Sequence, residues 1–457
     1  MKIAVEGCCH GELDAIYARV AELEQRNNYK VDLLLICGDF EAIRNHQDLQ
    51  CMAVPPKYRH LGGFYKYYTG EKKAPILTVV IGGNHEASNY LWELYHGGWL
   101  APDIYYLGFA GCIQVNGIRI AGASGIYKSH DYKQGHFERL PYDGSQMRSI
   151  YHIREFDVLR LSHLSKPDIF LSHDWPQGIE QYGDVNGLLR YKPFFRNEIA
   201  AGTLGSPPLT SLLQQLKPNW WFAAHMHCRF EATVTHEGTQ ADPKVDNPDE
   251  IKVDDFDEDE HLSASAPVPT AGPASVSEAN PDEIVLDDEI ETVIASPPKA
   301  QVTRFLALDK CLPKRQFLEV VDVPASQPST DELRVTFDPE WLAITRAFHP
   351  FFSSGRSQKA YPKPHQSQQS VEKELKWVRN NVGDNEGMKS ISDCQVFWPT
   401  APGPGSEGSA KHQQPPWYTN PQTVAFCNLL GIENKINPAP AGVSLPSGSV
   451  PGGLPPR

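Results

Sequence analysis

No stretch of eighteen apolar residues occurs in the 457-residue chain, so no segment is expected to cross a bilayer as a helix. Cysteine is sparse and odd in number. The nine residues show no framework spacing, and several, such as Cys37 and Cys112, sit inside apolar runs. That set excludes a disulfide-built scaffold, and a thiol here is expected to be core or ligand. The cysteine set is that expected of a reduced, intracellular protein, and the amino terminus, Met1-Lys2-Ile3-Ala4-Val5, reads directly as a strand without the basic-then-apolar layout of a secretory signal. Positive charge is also lacking, with a formal net of -14. That deficit is local. Residues 235–300 hold 18 Asp and Glu against three Lys, a net of -15, and the rest of the chain stands at +1. An acidic total therefore does not exclude contact with a phosphodiester backbone through local patches.

Length implies two to four structural units, and the 38 prolines imply that part of the chain does not pack. Residues 1–234 alternate strand and helix patterns. Ile3–Val5, Val31–Cys37, Ile76–Ile81, Ile118–Ala121, Asp168–Leu171 and Trp220–Ala224 read as strands. Leu13, Ile16, Tyr17, Val20 and Leu23 share a helical face. This alternation predicts an α/β layer fold. Residues 235–300 read as a disordered acidic insertion. It carries a near-repeat, Asn247-Pro248-Asp249-Glu250-Ile251 and Asn280-Pro281-Asp282-Glu283-Ile284, whose aliphatic triplet Ile284-Val285-Leu286 could add a strand to a protein partner. Residues 301–355 read as strand material rejoining the core, followed by an amphipathic run that starts near Pro339. Residues 356–457 read as a largely disordered Pro/Gly/Ser-rich tail with one short helix at 421–432.

Five short segments within the first 230 positions carry metal-ligand residues: Cys8-Cys9-His10, Gly38-Asp39, Gly83-Asn84-His85-Glu86, Ser172-His173-Asp174 and His225-Met226-His227. Most follow an apolar strand pattern. Ligands on loops at the carboxyl ends of strands are how a two-metal hydrolytic site is assembled. Two cations about 3.5–4 Å apart hold a hydroxide and clamp a phosphate. They need one bridging carboxylate and about three further ligands each. Asp39 is the natural bridge, because Gly38 lets the backbone turn there. Cys8, His10 and one of His225 or His227 complete one site. Asn84, His173 and the other histidine complete the second. Residues two apart on an extended segment share a face, which pairs Cys8 with His10 and leaves Cys9 to the core. The same alternation brings His225 and His227 to one face. His85 stays without a metal, where a general acid would protonate or orient the leaving oxygen. Asp174 reads as a support or turn former. Lys57, Tyr58 and Arg59 are weaker candidates for backbone contacts, and Tyr65, Tyr67 and Tyr68 read as packing residues.

The order of these segments resembles the calcineurin-like metallophosphoesterases, with two departures. Ala224 stands where the family has glycine, and Cys8 stands where it has aspartate. A thiolate is softer than a carboxylate and biases that site toward zinc or iron. The departure at Cys8 narrows the resemblance. Gly7-Cys8-Cys9-His10-Gly11-Glu12-Leu13-Asp14, Met52-Ala53-Val54-Pro55-Pro56-Lys57-Tyr58-Arg59, Tyr67-Tyr68-Thr69-Gly70-Glu71-Lys72-Lys73-Ala74-Pro75, Ser129-His130-Asp131-Tyr132 and Phe305-Leu306-Ala307-Leu308-Asp309-Lys310-Cys311-Leu312-Pro313 are similar to segments of RNA lariat debranching enzymes. The resemblance covers about 1–234 and 301–350.

The resemblance implies an αββα sandwich of two mixed sheets flanked by helices, with a C-terminal extension. It implies hydrolysis of the 2′-5′ phosphodiester at the branch of excised intron lariats, in the nucleus, by a monomer without membrane contact. It assigns Cys8, His10, Asp39 and His227 to one divalent ion and Asp39, Asn84, His173 and His225 to another, the ions being Fe2+, Zn2+ or Mn2+. It assigns His85 to the leaving 2′-oxygen. A lariat-recognition loop is implied at about 125–155, with Lys128, His130, Tyr132, Lys133, His136, Phe137, Arg148, Tyr151, His152 and Arg154 as RNA contacts. Cations and aromatics do interleave there, as base stacking and phosphate contact require. Two rivals share the scaffold. A phosphoprotein phosphatase would carry Asp-Arg-Gly after the bridging aspartate, but Phe40-Glu41-Ala42 follows here. A metal-free interaction module would have degraded ligands, whereas every position is filled by a competent side chain.

Overall fold

The structure, a computed structural model, describes residues 1–236, 300–324, 333–384 and 387–439. Among these residues the strands in chain order are β1 (Lys2–Glu6), β2 (Leu33–Ile36), β3 (Leu77–Val80), β4 (Gly98–Ala101), β5 (Ile104–Tyr106), β6 (Ala110–Val115), β7 (Ile118–Ala123), β8 (Ile169–Ser172), β9 (Trp220–Ala223), β10 (Phe230–His236), β11 (Gln301–Ala307), β12 (Leu318–Asp322) and β13 (Val335–Phe337). They make two mixed sheets, ordered β12-β1-β2-β3-β5-β4 and β10-β11-β9-β8-β7-β6-β13.

Side-chain alternation explains the layering. Ile3 and Val5 of β1, Leu33 and Leu35 of β2, and Val79 of β3 share one cluster with Ile113, Ile120, Ile169, Leu171, Phe222 and Leu306 of the other sheet. The intervening residues Ala4, Leu34, Ile36 and Val80 point the other way. They join Leu13, Ile16 and Val20 of the helix Leu13–Asn27. Strands buried on both faces need continuous apolar runs, which is why β2 reads Leu-Leu-Leu-Ile. The result is the αββα sandwich.

β1, β2 and β3 run parallel to one another, as do β7, β8 and β9. The loops that leave their carboxyl ends therefore emerge together, and these loops carry the ligand segments. The acidic stretch at 235–300 lies outside the described residues except at its ends, where Thr235 and His236 complete β10 and Ala300 precedes β11. β11 lies between β10 and β9, β12 flanks β1, and β13 flanks β6.

The reading of 356–457 as a largely disordered tail is corrected over 356–384 and 387–439. The helix Pro364–Asn381 packs on the helix Pro339–Phe348, with the Arg346 guanidinium 3.5 Å from the Trp377 ring and 2.7 Å from Glu374. A further helix, Pro421–Leu430, lies against the edge strand β4. Gln422 replaces a missing neighbour strand there: its Oε1 accepts from Trp99 N and its Nε2 donates to Trp99 O. Gln395 and Asn437 likewise donate to the carbonyls of Gly97 and Glu93. The segment looks disordered in sequence because buried amides and small polar groups hold it, with only Ser367, Val371 and Val378 buried on the long helix. Such contacts leave no hydrophobic period to read.

Candidate metal centre

The ligand loops turn through backbone that ordinary residues avoid. His10, Asp39, His225 and His227 all have left-handed φ, at 48°, 45°, 58° and 47°, as does Glu41 at 60°. An L-residue there costs about 1–2 kcal/mol, so the surrounding packing must hold it. Two glycines make the approach possible. A Cβ on Gly38 would overlap the His173 imidazole, and one on Gly83 would overlap the Asp39 carboxylate. The strand alternation expected for His225 and His227 is corrected here. Both lie beyond the end of β9, and left-handed turns, not a pleat, aim them.

The geometry divides into two overlapping groups. One ligand atom each from Cys8, His10, Asp39 and His227 lies within 4.8 Å of the others. His10 Nε2 is 3.3 Å from His227 Nε2 and 3.5 Å from Asp39 Oδ2. On the other side, His173 Nε2 is 3.3 Å from Asp39 Oδ1 and 3.2 Å from Asn84 Oδ1. The His225 ring is centred 5.0 Å from that of His173. His85 borders the first group: its ring is centred 5.4 Å from that of His10, and one ligand atom each from His10, Glu41 and His85 lies within 4.8 Å of the others. Its backbone N–H donates to Asp39 Oδ1 at 2.8 Å.

Supporting groups fix the imidazoles. The Cys37 carbonyl accepts from His173 Nδ1 at 2.7 Å, so Nε2 carries the lone pair that faces the centre. Glu41 lies 3.3 Å from His10 Nδ1 and leaves that Nε2 inward as well. Glu86 staples the loops: its carboxylate accepts from Phe40 N, Gly83 N and Glu41 N at 2.8–2.9 Å. Sequence reasoning missed the roles of Glu41 and Glu86. The signal available was a carboxylate two residues beyond each ligand, in Asp39-x-Glu41 and Asn84-x-Glu86.

Electrostatics favour cation binding. Burial alone would protonate Asp39, but the imidazoles of His173 and His10, and then that of His85, hold its carboxyl well below the ordinary range when they carry a proton, and a bound cation would take the place of that proton. Burial lowers His225 and His227 to about 3, helped by His173 and His10 respectively, so both rings are neutral donors. Burial and then the Asp39 carboxylate push the Cys8 thiol up, so it takes an incoming cation to make it a thiolate. One thiol, four imidazoles, a shared carboxylate and an amide oxygen suit divalent cations of the zinc and iron type.

The loop at 125–155 abuts this centre. Asp174 anchors it by accepting from Tyr127 N at 3.1 Å, and the charge of Lys128 reaches His225. Three of its expected RNA contacts are corrected. Arg154 is fully buried and donates to Glu138. His136 is buried and sits 2.9 Å from Asp157. His152 is buried against Asp131 at 2.6 Å. A buried polar side chain has to be paired, so these three brace the loop and do not present themselves to a ligand. Lys128, His130, Lys133 and Arg148 are exposed, and Tyr132, Phe137 and Tyr151 are half-buried. Of the weaker candidates, Lys57 and Tyr58 are exposed, whereas Arg59 is occupied by the carbonyls of Val54 and Met52.

Fold and site together define a metallophosphoesterase, and residues 1–229 match the calcineurin-like phosphoesterase family. Residues 300–435 match the family described as the C-terminal domain of lariat debranching enzyme. The chain is 42% identical to the lariat debranching enzyme of Schizosaccharomyces pombe over 98% of this chain and 99% of that one. It is 41% identical to that of Arabidopsis thaliana, over 100% of this chain and 93% of the other. It is 43% identical to that of Homo sapiens, over 94% and 69%. This chain belongs to the lariat debranching enzyme family.

Proposed function

We propose that the chain hydrolyses the 2′-5′ phosphodiester at the branch of lariat RNA in the nucleus, leaving a linear strand for turnover. The observation that carries this reading is Asp39. Its two carboxylate oxygens face different imidazoles, Oδ1 toward His173 and Oδ2 toward His10, as a ligand shared between two cations must. Cys8, His10 and His227 complete one site; Asn84, His173 and His225 complete the other. Bound divalent cations supply a nucleophile from water at neutral pH and neutralise charge on the phosphoryl oxygens. Fe2+, Zn2+ and Mn2+ suit the donors, and the Cys8 thiol favours the softer two, Fe2+ and Zn2+.

The protein's own groups do the rest. The left-handed loops hold the ligands in place before substrate arrives. His85 is oriented through its backbone N–H by Asp39 and protonates or orients the departing 2′-oxygen. Lys128, Lys133 and Arg148 meet phosphates, and His130, Tyr132, Phe137 and Tyr151 offer rings to unpaired bases. Conversion of branched RNA to linear product, with linear RNA and a phosphopeptide left intact and with chelator abolishing turnover, is the expected result. Turnover of the phosphopeptide instead would replace this reading with the phosphatase.

A further inference from the structure

Seven consecutive residues, Arg190-Tyr191-Lys192-Pro193-Phe194-Phe195-Arg196, interleave three cations with three aromatic rings and contain no acid. They end the helix Val185–Tyr191 and pass through a tight turn into the helix Arg196–Ala200. Phe195 is buried and anchors the turn, while Phe194 is 68% exposed and Tyr191 50%. Packing does not require two large exposed rings beside cations. Lys192 Nζ lies 5.4 Å from the Tyr191 ring and 5.8 Å from the Phe194 ring. Tyr191, Lys314 and Arg315 line an open groove of about 620 Å³ beside these side chains, and the Arg315 guanidinium is 5.7 Å from the Tyr191 ring. The carboxylates of the groove are already engaged. Asp184 accepts from Gly187 N and lies 3.7 Å from Arg190, Glu231 pairs with Arg229, and Asp309 accepts from Lys310 N and lies 3.3 Å from Arg315, which an RNA phosphate would have to draw away.

The groove adjoins the metal centre through short backbone links. Cys8 N donates to Asp309 O at 3.3 Å, and Cys311 N donates to Cys8 O at 3.0 Å. Asp309 also lies 3.3 Å from the Tyr191 hydroxyl. This is the Cys8 and His227 side. The loop at 125–155 meets the centre on the other side, where Tyr127 N donates to the Asp174 carboxylate next to His173. A branched RNA has three arms, and one flank cannot hold an arm that leaves by the other.

We propose that Tyr191, Lys192 and Phe194, with Lys314 and Arg315, form a shelf that binds an unpaired RNA arm leading away from the branch. Bases stack on the rings and phosphates meet the cations. The inference rests on the debranching reading. The shelf residues touch no metal ligand side chain and act on binding, not on bond cleavage. The test is the double variant Phe194→Ala with Lys192→Ala in the full chain. Two substrates share one branch, the first with single-nucleotide arms and the second with arms of about ten nucleotides. The expected result is a KM raised on the order of tenfold for the long-armed RNA, with kcat unchanged and the short substrate unaffected. The salt dependence should become shallower by roughly one phosphate contact. Equal effects on both substrates, or none on the long-armed one, would overturn the shelf. So would unchanged RNA handling with loss of a protein partner. Failure of the unaltered protein to open either substrate would sink the debranching reading instead, and direct binding of the long arm in chelator still reports on the shelf.

Discussion

The loop at 125–155 and the segment 190–196 have similar composition, cations interleaved with rings, and opposite orientation. In the loop, Arg154, His136 and His152 turn inward and meet Glu138, Asp157 and Asp131. In the segment, Arg190, Tyr191, Phe194 and Arg196 turn outward. The loop needs these inward side chains because it has little regular structure between Gly125 and Glu155, and buried side-chain hydrogen bonds replace a backbone ladder. The segment needs none, because Phe195 and the flanking helices hold it. A basic, aromatic stretch is thus a brace or a binding surface according to which way its side chains point, and composition does not decide between them.

The comparison has a ceiling set by the metal centre, to which both regions are accessory. Asp39→Ala should lower turnover of branched RNA by about three orders of magnitude or more and release both cations. Metal analysis that finds one ion retained would remove Asp39 from the bridging role. His85→Ala should keep the metal content and still slow turnover by about 10²–10⁴-fold, measured at saturating substrate. Full activity in that variant takes His85 out of the mechanism.

Within the loop, the inward and outward cations should separate by assay. Arg154→Met strands Glu138 in the interior and should cost about 3–5 kcal/mol in denaturant unfolding, whereas Arg148→Ala should cost less than about 0.5 kcal/mol. Similar losses in the two would mean that burial does not distinguish brace from contact. Lys128→Ala with Arg148→Ala should raise KM for branched RNA by roughly tenfold and flatten its salt dependence by about two phosphate contacts, with stability unchanged. An unchanged salt slope would show that these exposed cations do not meet phosphates.

The smallest effect contrasts inward histidines with and without a carboxylate. His136 has Asp157, whose carboxyl is opposed by burial but held below the ordinary range by His136 and Arg160. His349 faces Lys435 and has no such partner among the described residues; burial, then Lys435, lowers it to about 4. A depressed folded value means that the His349 contribution is complete above its unfolded value near 6.5 and is lost as pH falls through about 4. The Asp157 contribution is present above about 3.9 and is lost only at lower pH. His349→Gln should therefore remove this histidine's share of the destabilisation between about 6.5 and 4, leaving the shares of His225 and His227, which are also depressed, and that of Asp157. Denaturation midpoints between pH 7 and pH 3 that superimpose on the parent's would refute the difference.

Much of this molecule is legible in one dimension. β1, β2, β3, β8 and β9 appear as apolar runs because both faces of a central strand are buried, and the ligand motifs follow them at once. β4, β5 and β13 are only three or four residues long, and they carry no run long enough to read. The ordered C-terminal segment is hidden for a related reason, since Gln395, Gln422 and Asn437 satisfy backbone groups one at a time.

The candidate ligand residues and their order are legible in the sequence alone, because metal chemistry needs particular atoms and those atoms belong to particular side chains. Orientation was decided only in three dimensions. Left-handed turns at His10, Asp39, His225 and His227 aim the donors, and burial assigns Arg154, His136 and His152 to the interior. Both depend on contacts between segments far apart in the chain. A residue's type is local, whereas the direction its side chain faces is set by everything packed around it.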